Sequence, residues 1–292
     1  MRENADAAPD VTFVTYAGLP DLDPDDRVAV DALRRRGLRA VAAVWDEPGV
    51  RWERAGTCVV RSTWDYHLRP DEFLIWAARV CALAPLWNSL QLIRWNIDKT
   101  YLRELFDRGA PVVPTIWIER GDGSFDVANA ARKRGWSRGV VKPAVGLATF
   151  GVRSFAFPDD AKAAQAHAAA LASHGRVLLQ PHLDSVEDYG ERALIFIDGK
   201  YSHAVRKTHF QALLPAGEAG EVPIEATRGE IEIAEAVAAM LPAPALYARI
   251  DLVRDGAGRS VLLEVELIEP SLFFALHPPA AERFADAVRQ RL

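Results

Sequence analysis

The first hundred residues alternate short β-branched runs with amphipathic stretches, and no other feature restricts the possible folds so strongly. VTFVTYA (11–17), LRAVAAVW (38–45) and TCVVRS (57–62) read as strands. Between the first two lies a helix, with Asp23 as N-cap, Pro24 at its first position and Gly37 just past its end. DEFLIWAARVCAL (71–83) reads as a second amphipathic helix. Strands separated by helices pair in parallel, and a parallel sheet needs cover on both faces. No GxGxxG follows the first strand, so the pattern does not support a dinucleotide site there.

A chain of 292 residues, half of them hydrophobic, can build a sizeable core, divided here over several subdomains. The divisions expected are 1–110, 111–183 and 184–292. A net charge of -5 argues against a nucleic-acid partner bound through a broad basic surface. Cys58 and Cys81 sit in apolar segments and read as buried thiols, which suits a reducing cytoplasm. MRENADAAPD lacks the pattern of a signal peptide, and no apolar run reaches the ~20 residues of a membrane span. Neither a membrane nor a nucleic acid is expected as partner, and monomer and homodimer are equally open.

DKTYLRELFDRG (98–109) is a helix stopped by glycine, and PVVPTIWI (111–118) an extended link. GVVKPAV (139–145) is a strand, VGLATFGV (145–152) a glycine-punctuated loop, 159–175 an Ala-rich helix and RVLLQPHL (176–183) a strand. ERALIFI and KYSHAVRK form a hairpin over Asp198-Gly199. Thr227 and Glu230 stand at capping-box spacing before a helix that ends at Pro242. ALYARIDLV and SVLLEVELI form a second hairpin. The fold class is α/β, turning α+β in the C-terminal part.

That second hairpin carries unusual charge. With Arg254 opposite Arg259, the strand alternation places Arg249, Asp251, Glu264 and Glu266 on one face. A solvated face explains this, and so does a Mg²⁺ site, where hard cations cancel the repulsion among carboxylates. Lys99 opens a helix, where the helix dipole disfavours a cation unless an anion shares the place. Lys142 ends an apolar strand, either as an edge-strand charge or as a ligand contact. The Gly146–Gly151 loop offers backbone N–H groups to phosphates. Arg192, Arg206 and Lys207 stand at a hairpin base, solvated or holding an anion. Arg61, Ser62, Trp64, Asp65 and Tyr66 follow a strand's C-terminal end, where open α/β sheets bind ligands; a packed turn is the alternative.

Lys99, Lys142, the glycine loop, QPHL, Arg206, ARID and EVE follow one another as in the ATP-grasp superfamily. Arg249-Ile-Asp251 and Glu264-Val-Glu266 resemble the metal hairpins of D-alanine–D-alanine ligase and bacterial glutathione synthetase, with Glu266 in place of the usual Asn. IFIDGKYSHAVRK and LLEVELIEPSLFF most resemble the branch that includes the D-cycloserine-forming ligase, and RSTWDYH and LWNSLQLIRWNIDK are less specifically similar to it.

The resemblance implies a parallel α/β N-terminal domain, a small central lid subdomain and a C-terminal antiparallel sheet. It implies ATP and two Mg²⁺ ions as cofactors. Lys99 and Lys142 would bind phosphates, Gln180, Pro181, His182 and Leu183 would read adenine, and Glu191 or Glu187 would take the ribose. Asp251, Glu264 and Glu266 would bind metal. Arg192 and Arg206 would hold the γ-phosphate or the substrate carboxylate, and Arg249 would lie beside the transferred phosphoryl group. Glu269 would be a substrate contact or a structural residue.

The activity implied is ATP-dependent carboxylate–amine ligation of a small amino-acid-like substrate through an acyl phosphate, in the narrower form a cyclisation of O-ureido-D-serine. An intermolecular amino-acid ligase and a non-catalytic nucleotide-binding regulator are the alternatives.

Overall fold

The structure is a computed structural model and describes residues 8–208 and 220–292. The chain folds into two compact units. The first holds residues up to Ile97 together with Glu191–Leu252 and Glu264–Leu292, and the second holds Asp98–Gly190 and Val253–Leu263.

In the first unit, β1 (Val11–Thr15), β2 (Ala40–Val44), β3 (Thr57–Val60) and β4 (Leu86–Trp87) form a parallel sheet in the order β2-β1-β3-β4. The crossovers run through α1 (Pro24–Arg35) and α2 (Pro70–Cys81), and α3 (Leu90–Asn96) follows β4. The Asp23 carboxylate accepts the Asp25 N–H, Pro24 opens α1, and Gly37 takes φ +78° just beyond its end, as the sequence predicts. Cys58 is buried, whereas Cys81 is exposed, which corrects the expectation of two buried thiols. The buried stripe of α2 is Phe73, Trp76, Ala77 and Val80, so its last residue turns to solvent.

The second unit opens with α4 (Tyr101–Asp107), β5 (Ile116–Ile118) and α5 (Val127–Lys133). β6 (Arg138–Pro143), β7 (Arg153–Ala156), α6 (Ala161–Ala172), β8 (Val177–Pro181) and α7 (Ser185–Asp188) complete it. Its strands are antiparallel in the order β5-β8-β6-β7. The Ala-rich α6 buries Ala164, Ala168 and Ala172 against Val141, Phe155 and Leu179. Small side chains allow close approach of helix to sheet.

The chain then returns to the first unit. β9 (Glu191–Ile197), β10 (Lys200–Lys207), β11 (Glu221–Ile224), β12 (Tyr247–Arg254) and β13 (Ser260–Glu266) form a sheet in the order β11-β10-β9-β12-β13. α8 (Arg228–Ala238) starts with the expected capping box, both hydrogen bonds present, and α9 (Pro278–Arg289) ends the fold. Ile195, Ile197 and Tyr247 of this sheet, Phe13 and Val59 of the parallel sheet, and Phe284 of α9 lie in one core.

Candidate active site

The first unit gathers the acidic hairpin residues. Arg249 donates from Nε to Asp251 Oδ1 at 2.9 Å and from Nη2 to Asp251 Oδ2 at 3.0 Å, and its Nη2 also pairs with Glu266. These contacts put Arg249, Asp251 and Glu266 on one face, as the predicted alternation requires. Its inner part is not solvated, with Asp251 1 % exposed and Arg249 6 %, while Glu264 and Glu266 are half-buried.

Lys207 joins them, bridging Asp251 Oδ2 at 2.8 Å and Glu191. Burial pushes the Asp251 carboxyl above its ordinary range; Arg249 and Lys207 oppose this, while Glu191 and Glu266 add to it. Burial and Arg249 press the Lys207 ammonium down, but Asp251, Glu191 and Glu266 outweigh them and hold it above the usual lysine range.

Register separates two residues from this group. β9 pairs Glu191 with Lys207, Arg192 with Arg206, and Ala193 with Asp251. Opposed residues share a face and successive residues alternate. Glu191, Lys207 and Asp251 therefore face one way, and Arg192 and Arg206 the other. The expectation that Arg192 and Arg206 hold the reacting phosphate or carboxylate is corrected accordingly: Lys207, the next residue along, is the cation that β10 adds to Arg249 on the carboxylate face.

Two asparagines hold the carboxylate strand in place. Asn96 donates to Val265 O at 2.8 Å and accepts from Leu267 N at 2.8 Å. Asn88 donates to Tyr247 O and Leu267 O and accepts from Leu246 N. Both lie in LWNSLQLIRWN and are buried, and the signal available in the sequence was a polar amide in each of two apolar surroundings.

The RSTWDY turn divides in two. Arg61 donates to Asp26 Oδ1 at 2.8 Å and Pro270 O at 2.6 Å and lies over the Tyr247 ring, and Ser62 donates to Asp26 Oδ2. Arg61 is 2 % and Ser62 0 % exposed, so this pair is packed within the turn. Asp65 accepts from Trp45 Nε1 and Arg69, each at 2.8 Å. Trp64 Nε1 donates to Glu269 O at 3.3 Å. Tyr66 hydrogen-bonds Glu269; burial first, then the charges of Glu269, Glu266 and Glu264, raise its hydroxyl well above the usual tyrosine range. Tyr66 and Glu269 thus sit beside the hairpin carboxylates, while Ser62 and Asp65 spend their polar groups on the protein, as Arg61 does through Nε and Nη2, its Nη1 being buried with no hydrogen-bond partner among the described residues.

The second unit carries the expected nucleotide residues. Lys142 lies in β6, between β8 and β7, and is 8 % exposed, so it is not an edge-strand charge. Lys99 donates from Nζ to Gly146 O at 2.8 Å and from N to Ala144 O at 3.0 Å. Gly151 takes φ +68°, and a Cβ there would meet Pro143 and Leu171 at 3.1 and 3.2 Å; one at Gly146 would meet Pro143 at 3.0 Å. Both glycines let the loop close on the end of β6. Gln180 and Pro181 end β8, with Gln180 donating to Thr115 Oγ1 at 2.9 Å. His182 donates its N–H to Arg138 O, and Leu183 packs with Val113, Val253 and Val261. Glu187 pairs with Arg138 and lies 3.1 Å from His182 Nε2 near the surface.

The donor set suits a hard cation. Asp251, Glu266 and Glu264 offer oxygen alone, and their mutual repulsion is what a divalent ion would relieve. Among the described residues no three His, Cys, Asp or Glu side chains close into a cage. Magnesium takes one or two carboxylates and completes its shell with phosphate and water, so the residues fit it.

A family model described as D-cycloserine synthetase DcsG, N-terminal domain, matches residues 11–88, which span β1 to the end of β4. The cycloserine biosynthesis protein DcsG of Streptomyces lavendulae is 35% identical, over 97% of this chain and 98% of its own length. The chain belongs to the D-cycloserine synthetase family of ATP-grasp ligases. The crystal structure of D-cycloserine synthetase DcsG superposes with a TM-score of 0.86 and 33% identity, covering 96% of this chain and 99% of that one. A RimK domain ATP-grasp protein from Sphaerobacter thermophilus gives a TM-score of 0.70 at 19% identity, covering 96% and 99%, and shares the fold. This family member is therefore a ligase of the fold that the lysine, arginine and carboxylate order implies. Among its described residues no helix is long and apolar enough to cross a membrane.

Proposed function

We propose that this ligase closes O-ureido-D-serine to D-cycloserine at the expense of ATP. The observation that carries the reading is the array of buried Arg249 and Asp251 with half-buried Glu266 and Lys207, which concentrates alternating charge where water competes less. Full-length similarity to a cycloserine biosynthesis protein supports the choice of substrate.

Lys99 and Lys142 would bind phosphates, Lys142 also near the adenine, with the 146–151 loop adding backbone N–H donors. Gln180, Pro181, His182 and Leu183 would read the base. Glu191, or else Glu187, would take the ribose hydroxyls; Glu191 pairs with Lys207, and Glu187 with Arg138 and His182. Asp251, Glu264 and Glu266 would hold two Mg²⁺ ions, which supply charge neutralisation for the transferred phosphoryl group. Tyr66, Glu269 and Trp64 would face the amino-acid substrate, with Arg61, Ser62 and Asp65 shaping the turn that presents them.

In the first step a substrate carboxylate oxygen bonds to the γ-phosphorus and the bond to ADP breaks, leaving an acyl phosphate. Arg249 stabilises the charge on the moving phosphoryl oxygens. In the second, the nitrogen attached to the side-chain oxygen attacks the acyl carbon and expels phosphate. The carbamoyl group then leaves with one water as ammonia and CO₂. Unpaired Cys58 and Cys81 suit the reducing cytoplasm proposed as its location.

The test is phosphate release from Mg-ATP with O-ureido-D-serine, with hydroxylamine present to trap the acyl phosphate. Release with this substrate alone, and a hydroxamate in the trap, is expected. Release that rises only on adding a second amine would replace cyclisation by intermolecular ligation. ADP binding without turnover on any D- or L-amino acid would leave a regulator.

A further inference from the structure

Both oxygens of Asp251 are already taken. Oδ1 accepts from Arg249 Nε at 2.9 Å, and Oδ2 accepts from Arg249 Nη2 at 3.0 Å and Lys207 Nζ at 2.8 Å. A divalent ion bound to Oδ2 at ~2.1 Å would stand against an ammonium bound to that same oxygen. The cations are already matched against carboxylates: Glu191, Asp251 and Glu266 pair with Lys207 and Arg249, and with Glu264, two residues before Glu266 on β13, the group carries two net negative charges. Adding two doubly charged ions without moving a cation would make this partly desolvated cluster positive, which is unfavourable.

The two cations are not equally free to move. Arg249 grows from the same strand as Asp251, forks onto Asp251 and Glu266, reaches Ser271 O at 3.4 Å and lies over Phe273. Lys207 is the last residue of β10, a point charge on a flexible four-carbon stem, and its ion pairs are with Glu191 and Asp251. We propose that Lys207 is the resident counter-ion of the carboxylate face, and that a divalent metal binds only by displacing its ammonium from Asp251. The inference rests on the reading of Asp251 and Glu266 as metal ligands. Its consequence is weak metal binding by the free protein, since the displaced ammonium keeps only Glu191 until an anion arrives.

The test uses Mn²⁺ alone as the probe, with the full chain and no nucleotide, and counts free Mn²⁺ by electron paramagnetic resonance. Lys207→Met, which keeps length and loses charge, is expected to bind Mn²⁺ about ten-fold tighter than the wild type, with Lys207→Arg unchanged. Equal or weaker binding by Lys207→Met, with the wild type binding measurably, overturns the inference and leaves the metal reading standing. No Mn²⁺ binding by any of the three, with or without ADP, overturns the metal reading and the inference together. A measurement on the wild type guards against a misfolded variant: reductive methylation of Lys207, followed by mass spectrometry, is expected to speed up when Mn²⁺ is added. An unchanged rate at metal saturation overturns the displacement.

Discussion

Burial pushes the Asp251 carboxyl above its ordinary range, and Arg249 and Lys207 oppose that shift. Removing its charge would strand Arg249 and Lys207 with fewer partners. Asp251→Asn is expected to lower stability by about 3–5 kcal/mol, read from urea unfolding, and to abolish phosphate release. Tyr66 offers a contrasting case. Its hydroxyl hydrogen-bonds Glu269, which is 6 % exposed. Tyr66→Phe is expected to raise KM for the amino-acid substrate and leave KM for ATP alone, measured by steady-state phosphate release; an equal rise in both would remove Tyr66 from the substrate side. The acids of this site were legible as residues, because three carboxylates on one face of two successive strands, Asp251 on β12 and Glu264 and Glu266 on β13, invite an explanation. The identity of their cation was not, since Arg206 and Lys207 are neighbours in sequence and differ only in which way they point.

At the scale of elements, local signals carried far. Asp23, Pro24 and Gly37 bound α1, and Thr227 with Glu230 caps α8, because caps are satisfied within a few residues. Thr227→Ala is expected to cost about 1 kcal/mol, measured by chemical denaturation. The strand bearing Glu264 and Glu266 depends instead on Asn96, which reaches it from α3 across 169 residues of chain. Asn96→Ala would leave the Val265 carbonyl and the Leu267 N–H buried without this partner. The expected loss is about 3 kcal/mol, together with weaker Mn²⁺ binding in the presence of ADP, as the carboxylates lose their fixed spacing. Lys142 shows the same dependence. Edge and central strands read alike in sequence, and only pairing on both sides of β6 removes the edge-strand explanation.

At the scale of the whole molecule, stability carries a pH dependence that traces to His203. It stacks on His277 at 4.6 Å, its Nε2–H donates to Leu272 O, and Arg283 adds positive charge nearby. Burial first, and His277 second, lower its pKa to about 4. At His203 the folded state therefore binds fewer protons than the unfolded one between pH 6.5 and about 4, so this residue's contribution to stability is complete above 6.5 and falls with pH across that window. The loss from this residue is roughly 3 kcal/mol. Urea titrations at pH 7.5 and 4.5 are expected to show that His203→Gln reduces the difference between the two by about that amount.

The amino-acid sequence by itself determined the elements, their caps and turns, the alternation that gathers Asp251, Glu264 and Glu266, and the order of motifs that marks an ATP-grasp ligase. These rest on periodicity and on interactions a few residues long. Only the tertiary structure decided that Lys207 and not Arg206 meets the carboxylates, that Arg61 and Ser62 are buried at the start of their turn, and that Asn88 and Asn96 fix the strand bearing Glu264 and Glu266. Each of those depends on register or burial between segments far apart in the chain. A shift of one residue there exchanges the two faces of a strand while leaving every local pattern unchanged.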